Sequence, residues 1–471
     1  MMSSGENIPS DNFRPRFLRL AIINIFSNLM VPLAGLVDTA FLGHLIEIRH
    51  LAGVALATAL FNYIYRPCNF LRMGTTGPTA QAEASSDQDT VLLIFLRNSL
   101  IALVLGLLVL LLQYPLQEIG FTLLSAAPEV KIAGQDYYNM RIWDAPATLL
   151  NFVLIGWFLG REKSSQVLIL SIICNGANVI LDYLFIVRWG WQSAGAGMAT
   201  AASQYLMLLV GLIFLVVEIS LPKWVSVVGQ TFDIEALKAT FKLNANIWIR
   251  SLVFISVYAF FTALSASLGT LVLATNTLIL QVVILAVYFI DGLAFATESL
   301  TGSFRGAGIP EKLAPLLKLS GGIALSLGLA FALMFTLLPE PLFGLLTNHL
   351  EVIEQINHYV IWLLPVLSFG SLAFILDGYF LGLAEGAILR NSMLIAAVLG
   401  FAPVAIASWQ LEKSQILWAA MALFMAARVI TLGLKIPETI QPRPNPERNS
   451  ETIADEMTPL TLDKSTNVLP E

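Results

Sequence analysis

The chain has 471 residues, of which 57% are hydrophobic and only 12% are charged. Soluble domains carry about 25% charged residues, so this composition excludes a soluble globular protein and predicts an integral membrane protein. The two cysteines, Cys68 and Cys174, lie in apolar runs and form neither a disulfide framework nor a metal-ligand spacing.

Twelve apolar runs are long enough to cross a membrane, because a spanning helix needs roughly 20 mostly apolar residues. We therefore expect an all-α polytopic membrane protein with twelve transmembrane helices. The runs cover residues 17–42, 52–75, 91–113, 132–158, 165–187, 194–217, 243–267, 271–300, 316–338, 357–382, 391–409 and 415–435.

Loop charges predict the orientation. Lys and Arg concentrate in the loops that are cytoplasmic if the N-terminus is inside, with the acidic loop 76–90 as an exception. Both termini are therefore expected in the cytoplasm, and the protein in the cell (inner) membrane. The predicted organisation is a cytoplasmic tail over 1–16, an N-lobe over 17–217, a cytoplasmic linker over 218–242, a C-lobe over 243–435 and a disordered tail over 436–471.

The chain contains two nearly identical copies of one pentapeptide. Gly-Trp-Phe-Leu-Gly at 156–160 closes the fourth run, and Gly-Tyr-Phe-Leu-Gly at 378–382 closes the tenth. Alone, each copy is a helix end with a glycine cap. The two runs are six apart in chain order, which indicates a parallel repeat related by an axis along the membrane normal. The predicted fold is two pseudo-symmetric six-helix lobes around a central cavity.

Polar residues follow one face of two helices in the first half. Asp38 ends a polar stripe in the first run, and Asn175, Asn178 and Asp182 share a face of the fifth. A charged residue inside the bilayer costs about 2.5–3.5 kcal/mol on insertion scales, so it indicates a functional role. We expect a hydrated polar pocket in the N-lobe.

Tyr137 and Asn151 lie on one face of the fourth run, and Thr200 lies in the sixth. Polar side chains of this kind also hydrogen-bond between helices as structural contacts, so both interpretations stay open. Burial and a second carboxylate both disfavour the charged form, so Asp38 beside Asp182 would exchange a proton. The same oxygens would alternatively bind Na+, and the residues do not separate the two ions.

The second half also carries intramembrane charges. Arg250, Asp291, Glu298, Asp377 and Arg428 all fall within predicted spans, and structural ion pairing or contact with substrate would explain them equally. Arg250 is expected to neutralise Asp291 or Glu298.

Substrate contacts are predicted at Asp38, Asp291 and Glu298. Met30 and Met73 would add an adaptable apolar lining, with ordinary packing as the alternative.

Several sequence motifs of enzymes and ATPases do not occur. The chain has no P-loop, no dinucleotide fingerprint, and no HExxH, CxxC or GxSxG motif. We expect neither a cofactor nor an enzymatic activity, and an ion gradient as the energy source.

Four segments together resemble the multidrug and toxic compound extrusion (MATE) family, in its DinF-like branch. Residues 32–44 resemble the first-helix signature, 74–81 the end of the second helix, and 175–182 the fifth helix, while Thr200 fits the sixth. The resemblance covers about 15–435. It implies two six-helix lobes, V-shaped around a central cavity, that export organic solutes in exchange for inward H+ or Na+.

The resemblance also assigns the coupling role to Asp38, with partners at Asn178, Asp182, Thr200, Tyr137 and Asn151. We therefore predict an antiporter that exports small organic solutes, cationic drugs or toxic metabolites, in exchange for H+. Alternatives are a Na+-coupled or organic-acid exporter of the same fold, and a lipid-linked precursor flippase, for which the N-lobe is too acidic. A lipid bilayer, no nucleic acid and a monomeric state are expected.

Overall fold

The computed structural model describes residues 12–43, 47–124, 126–219 and 221–440. Within those ranges every regular element is a helix, which confirms the all-α class. Most of the predicted tails, 1–16 and 436–471, lies outside the described residues. Residues 436–440, at the start of the second tail, form a short helix.

The first half contains six membrane crossings, two of which consist of two consecutive helices. A short amphipathic helix, α10, leads into the second half. The helices are α1 (Phe13–Gly43), α2 (Ile48–Tyr65), α3 (Phe70–Ala84), α4 (Gln88–Leu111), α5 (Gln113–Leu123), α6 (Pro128–Arg141), α7 (Ala145–Gly160), α8 (Ser164–Asp182), α9 (Gln192–Glu218) and α10 (Leu221–Val228).

The second half repeats this arrangement. Its helices are α11 (Ile234–Ser267), α12 (Thr270–Gly306), α13 (Leu313–Leu337), α14 (Pro339–Phe343), α15 (Leu350–Tyr359), α16 (Leu363–Gly382), α17 (Gly386–Ile395), α18 (Ala402–Leu411), α19 (Ser414–Gly433) and α20 (Ile436–Ile440).

Eleven helical segments of the described chain are long and apolar enough to cross a membrane. The remaining predicted span, 52–75, falls on α2 and α3, which Pro67 and a 3-10 turn separate. Proline lacks the amide hydrogen that would continue the α2 ladder. The crossing is therefore broken in its middle, and the twelve-helix, two-lobe arrangement is retained.

The repeated pentapeptide does more than end a helix. Gly160 and Gly382 are the last residues of α7 and α16. A Cβ added at Gly156 would lie 2.5 Å from the Arg72 carbonyl oxygen of α3, and one at Gly378 would lie 2.5 Å from the Ala294 carbonyl oxygen of α12. In each half the motif thus allows close approach of the helix to the equivalent partner.

The two halves meet along α1, α3 and α7 on one side and α12 and α16 on the other. Near the ends of α3 and α7 the contacts are close and polar. Ser299 Oγ donates to the Leu159 carbonyl at 2.7 Å, and Gln81 Nε2 donates to the Gly382 carbonyl at 2.8 Å. A Cβ at Gly77 would lie 2.0 Å from the Leu381 carbonyl oxygen.

One turn further on, Ser303 Oγ of α12 donates to Glu162 Oε1 at 2.6 Å, and Arg16 of α1 forms an ion pair with the same carboxylate. We call the contacts made by Gly77, Gln81, Ser299, Ser303 and Glu162 the inter-lobe layer.

Candidate functional site

A cavity of about 390 Å³ lies between the two halves. Residues of α3, α11, α12 and α16 and of the break between α2 and α3 form its wall, so both lobes contribute. Three of the residues predicted to contact substrate, Met73, Asp291 and Glu298, line it. Glu298 and Leu381 at its edge adjoin Ser299 and Gly382, so the inter-lobe layer closes this end of the cavity.

Most charges of the cavity are already paired with one another. Arg72 Nη1 donates to Glu298 Oε2 at 3.1 Å, and both side chains are buried. Asp377 Oδ2 accepts hydrogen bonds from both Arg250 and Arg428. The expectation that Arg250 neutralises Asp291 or Glu298 was wrong: its ion-pair partner is Asp377, and Glu298 is neutralised from the other half of the chain.

Two charged side chains of the wall differ from the rest. Arg66 is exposed in the break between α2 and α3, and Asp291 is partly buried in α12. Neither forms a hydrogen bond or an ion pair with any residue that the structure describes. The cavity thus presents one unpaired positive and one unpaired negative group.

The rest of the wall is largely aromatic and aliphatic. Phe254, Phe295 and Phe374 line it together with the phenols of Tyr258 and Tyr288. Such a wall, with a few polar groups in it, is typical of sites for small organic ligands.

The predicted coupling residues lie apart from this wall, within the first half. Asp182, the last residue of α8, is fully buried, and Asn178 lies one turn before it with 6% of its surface exposed. Asn175 donates to the Ser171 carbonyl of its own helix at 2.7 Å. A π-helical turn follows Asp182 directly, and such turns occur often at functional sites.

The other predicted partners make hydrogen bonds within and between helices. Asn151 Nδ2 donates to the carbonyl and Oε1 of Gln204, each at 2.9 Å. Thr200 Oγ1 donates to the Ala196 carbonyl of its own helix at 3.0 Å. These contacts suit the structural alternative for both residues.

Tyr137 belongs to a buried polar cluster. Its hydroxyl accepts a hydrogen bond from Arg141 Nη1 at 2.6 Å, and Arg141 Nε lies 3.6 Å from Asp144 Oδ2. The hydroxyl of Tyr65 donates to the same aspartate. This cluster joins α2 to α6 and accounts for the charges of Arg141 and Asp144.

Several buried polar atoms of α1, α7 and α8 have no hydrogen-bond partner among the described residues: both amide atoms of Asn24, Nδ2 of Asn178, Oδ1 of Asn151 and Oγ1 of Thr148. Buried polar groups are nearly always hydrogen-bonded, so such a group of unsatisfied atoms fits a hydrated site.

The two remaining predicted residues lie on α1. Met30 is partly buried and does not line the cavity. The backbone of Asp38 is helical, and its side chain lies outside the described parts of the structure.

Sequence reasoning missed two arginines of the cavity wall, Arg66 and Arg72. A signal for them existed, because both lie inside the predicted span 52–75, where a charged residue is costly. The search for intramembrane charges in the first half singled out the polar stripes and passed over this run.

The sequence is similar to a known protein family. A family model described as MatE matches residues 24–184 and matches again at 247–406. The chain belongs to the MatE family. The double match also supports the internal repeat, since one model fits each half of the chain.

Relatives span nearly the whole chain. It is 31% identical over 416 residues to the DNA damage-inducible protein F of Escherichia coli, covering 88% of this chain and 90% of that protein. It is 25% identical to a probable multidrug resistance protein NorM of Synechococcus, and the match covers 89% of this chain and 91% of that protein. A solved structure described as MATE in the bent conformation is 19% identical and has a TM-score of 0.81. The match covers 93% of this chain and 96% of that one.

These matches confirm the predicted family and its DinF-like branch. The protein is therefore a multi-pass membrane protein of the MATE family of multidrug and toxic compound extrusion transporters. The similarity to the solved structure shows the fold.

Proposed function

We propose that the protein is a secondary active exporter that moves small organic solutes out of the cytoplasm in exchange for inward H+. The observation that carries this proposal is the cavity between two pseudo-symmetric lobes, which the inter-lobe layer closes at one end. A transporter of this architecture exposes its site alternately to the two sides by movement of one repeat against the other.

We assign solute binding to the cavity and ion coupling to the first half. Asp182 and Asn178 are buried together beside unsatisfied polar atoms, and Asp38 lies on α1, which packs against α8. Protonation of a carboxylate in such a site changes the hydration and hydrogen bonding of the whole group, so it can favour one arrangement of the lobes over the other. Na+ bound by the same oxygens is the alternative.

We further propose that the protein acts as a monomer in the cell (inner) membrane with both termini in the cytoplasm. Loop charges support this orientation. A second candidate, an organic-acid exporter of the same fold, is favoured by Arg66, the arginine of the cavity wall that has no ion-pair partner among the described residues.

The test uses purified protein in liposomes that carry a pH gradient and no sodium. Internal pH is followed with a dye while the cation ethidium is added to the wild type, Asp38→Asn and Asp182→Asn. We expect proton movement in the wild type and its loss in both variants, with Glu235→Gln, in the exposed start of α11, behaving as the wild type.

Ethidium transport that instead needs a sodium gradient would replace H+ by Na+ at the same residues. Proton coupling that survives in both aspartate variants would contradict the assigned coupling site. Solute flux that follows neither gradient would contradict secondary active transport itself.

A further inference from the structure

The second and fourth crossings of the first half are both broken near their middle. The second is interrupted between α2 and α3 by the 3-10 turn Pro67–Asn69, and the fourth is interrupted between α6 and α7 by the 3-10 turn Ile142–Asp144. Pro67 and Pro146, at or just after these breaks, lack the amide hydrogen that would continue the preceding helix. Such positions are where a helix bends.

The helices before the breaks and the helices after them form separate packed pairs. α2 packs against α6, and α3 packs against α7. The pair of α3 and α7 also packs against α12 of the second half and contributes to the inter-lobe layer. The main neighbours of α2 and α6 lie in the first half instead. One segment of the first half is therefore fixed to the other lobe, and the second segment is held mainly within its own lobe.

A buried cluster joins the two breaks. Tyr65 is the last residue of α2 and Asp144 is the last residue of the turn before α7, and the Tyr65 hydroxyl donates to Asp144 Oδ1. The guanidinium of Arg141, the last residue of α6, lies 4.5 Å from the ring centroid of Phe61 in α2. Both contacts connect α2 to the end of α6 at the level where the two crossings are broken.

The cluster leaves one acceptor free. Asp144 Oδ2 is buried and accepts no hydrogen bond from the residues that the structure describes, and Arg141 Nε lies 3.6 Å from it. Arg141 donates to the Tyr137 hydroxyl instead, at 2.6 Å. Because Arg141 and Asp144 lie on the two sides of the break, a change in the bend changes their distance. An unsatisfied buried acceptor is costly, so a bend that brings Arg141 to Oδ2 gains one contact at the expense of the other.

The unbroken helix α9 supports this region. Near the break the turn is fixed to it, because the Tyr205 hydroxyl donates to the Trp143 carbonyl at 2.8 Å. Further from the break α9 meets α6 through glycine, and a Cβ added at Gly197 would lie 2.4 Å from the Tyr137 carbonyl oxygen. Glycine presents no side chain that interlocks with α6. The start of α6 is therefore free to shift over α9 while the turn stays in place.

We propose that α2 and α6 form a gate that turns on the two breaks, and that Tyr65, Arg141 and Asp144 are the positioning residues that set it. The break after α2 belongs to the cavity wall through Arg66 and Asn69, so turning of the gate changes the wall on the side away from the inter-lobe layer. The inference rests on the proposed function, because the gate is a step of the exchange cycle. It adds a movement within one lobe to the movement of the lobes against each other.

Two pairs of spin labels separate turning of the gate from movement of whole lobes. Glu129→Cys at the start of α6 and Glu354→Cys in α15 report the end of the protein away from the inter-lobe layer. Ser86→Cys and Glu311→Cys report the end beside that layer. All four positions are exposed. Distances are measured by pulsed EPR on the detergent-purified full chain, without solute or ion gradient.

The native cysteines, Cys68 and Cys174, are replaced by serine in every sample. Tyr65→Phe then removes the hydroxyl that joins the two breaks. We expect the distance between the labels at 129 and 354 to shift, and the distance between those at 86 and 311 to stay unchanged. α6 has 14 residues and is about 21 Å long, so a rotation of about 10° at the break would move its start by about 4 Å.

Tyr138→Phe is the matched control. Tyr138 is a neighbouring buried phenol on α6, and its hydroxyl donates to the Gln113 carbonyl at 2.9 Å and not to Asp144. We expect this variant to leave both distances unchanged, because the contact between the two breaks is intact.

An unchanged distance between the labels at 129 and 354 in Tyr65→Phe would overturn the proposal. An equal shift in Tyr138→Phe would also overturn it, because it would indicate a general loosening of α6. A joint change at both label pairs would replace the gate by rigid movement of the lobes. Since these distances need neither solute nor gradient, a failure of the gate is distinguishable from a failure of exchange in the liposome test.

Discussion

Single residues in this protein are constrained mainly by the need to neutralise charge inside the membrane. Arg72 and Glu298 illustrate this, because each is almost completely buried and each is the hydrogen-bond partner of the other. They come from different halves of the chain, so the pair contributes to holding α3 against α12. Removing one partner would leave the other charge buried without compensation.

We expect Arg72→Met to lower the free energy of unfolding by about 3–5 kcal/mol, because Glu298 would then be buried without its partner. The double variant Arg72→Met, Glu298→Leu should recover much of that loss. The measurement is unfolding by SDS titration in mixed micelles, monitored by tryptophan fluorescence.

Lys435 and Glu438 form the matched control, since this pair lies 2.6 Å apart with about half of each side chain exposed. Lys435→Met should change the free energy of unfolding by about 0–1 kcal/mol. Equal effects of Lys435→Met and Arg72→Met would contradict the importance that we give to burial.

Glycine allows pairs of helices to pack closely at positions where a side chain has no room. Gly156 and Gly378 place the backbones of α7 and α16 directly against those of α3 and α12. Small residues at helix contacts are the usual means of close packing in membranes, where lipid removes the hydrophobic drive for association. The pentapeptide therefore recurs because both halves need the same close helix contact.

Alanine at Gly156 or Gly378 should destabilise the protein by about 1–3 kcal/mol, because the added Cβ would overlap a backbone carbonyl that cannot rotate away. Gly176→Ala and Gly322→Ala are matched controls in helices of the same two halves, and a Cβ at either position meets nothing within 4 Å. These controls should be neutral or stabilising by about 0.5–1 kcal/mol. Thermal unfolding followed by size-exclusion chromatography would compare the four variants, and a similar loss at all four would refute the packing argument.

Local pairing also explains the acidic loop that departs from the charge rule for orientation. Glu83 is bound by Arg161 Nε at 3.0 Å, and Asp89 lies 3.2 Å from Lys223 of α10. The remaining acid, Asp87, caps the start of α4. The negative charges of the loop are thus neutralised or used locally.

The whole molecule is organised around contacts that close one end of the cavity. Glu162 has a central place in this layer, because it pairs with Arg16 of α1 and accepts a hydrogen bond from Ser303 of α12. Alternating access requires such contacts to break when the cavity opens to the other side.

Glu162→Ala should therefore shift the population towards the arrangement in which this end is open. Spin labels at Ser86 and Glu311, exposed residues of the first and second halves, would report the change as longer distances in pulsed EPR. Cys68 and Cys174 are replaced by serine for this experiment. Glu235→Ala removes a comparable carboxylate from the exposed pair with Lys238 and should leave the distances unchanged.

An unaltered distance distribution in Glu162→Ala would mean that the glycine and backbone contacts alone hold the layer closed. The role assigned to the carboxylate would then be wrong.

Sequence alone determined the class, the helical crossings and the repeat of this protein. Hydrophobic length is a local property, so each span could be recognised by itself, and the pentapeptide marked equivalent positions at 156–160 and 378–382. It also identified Asp291 and Glu298 as cavity residues, since charge in an apolar span is conspicuous, and Met73 as a part of the apolar lining.

Only the tertiary structure decided which charges pair and which stay free. Glu298 pairs with an arginine 226 positions earlier in the chain. Arg250 pairs with Asp377, although the acids of α12 are nearer to it in sequence. Pairing depends on which helix faces meet, and that follows from packing across the two lobes, which no stretch of sequence contains. For the same physical reason Arg66 and Asp291, the charges of the cavity wall without an ion-pair partner among the described residues, became recognisable only in the folded chain.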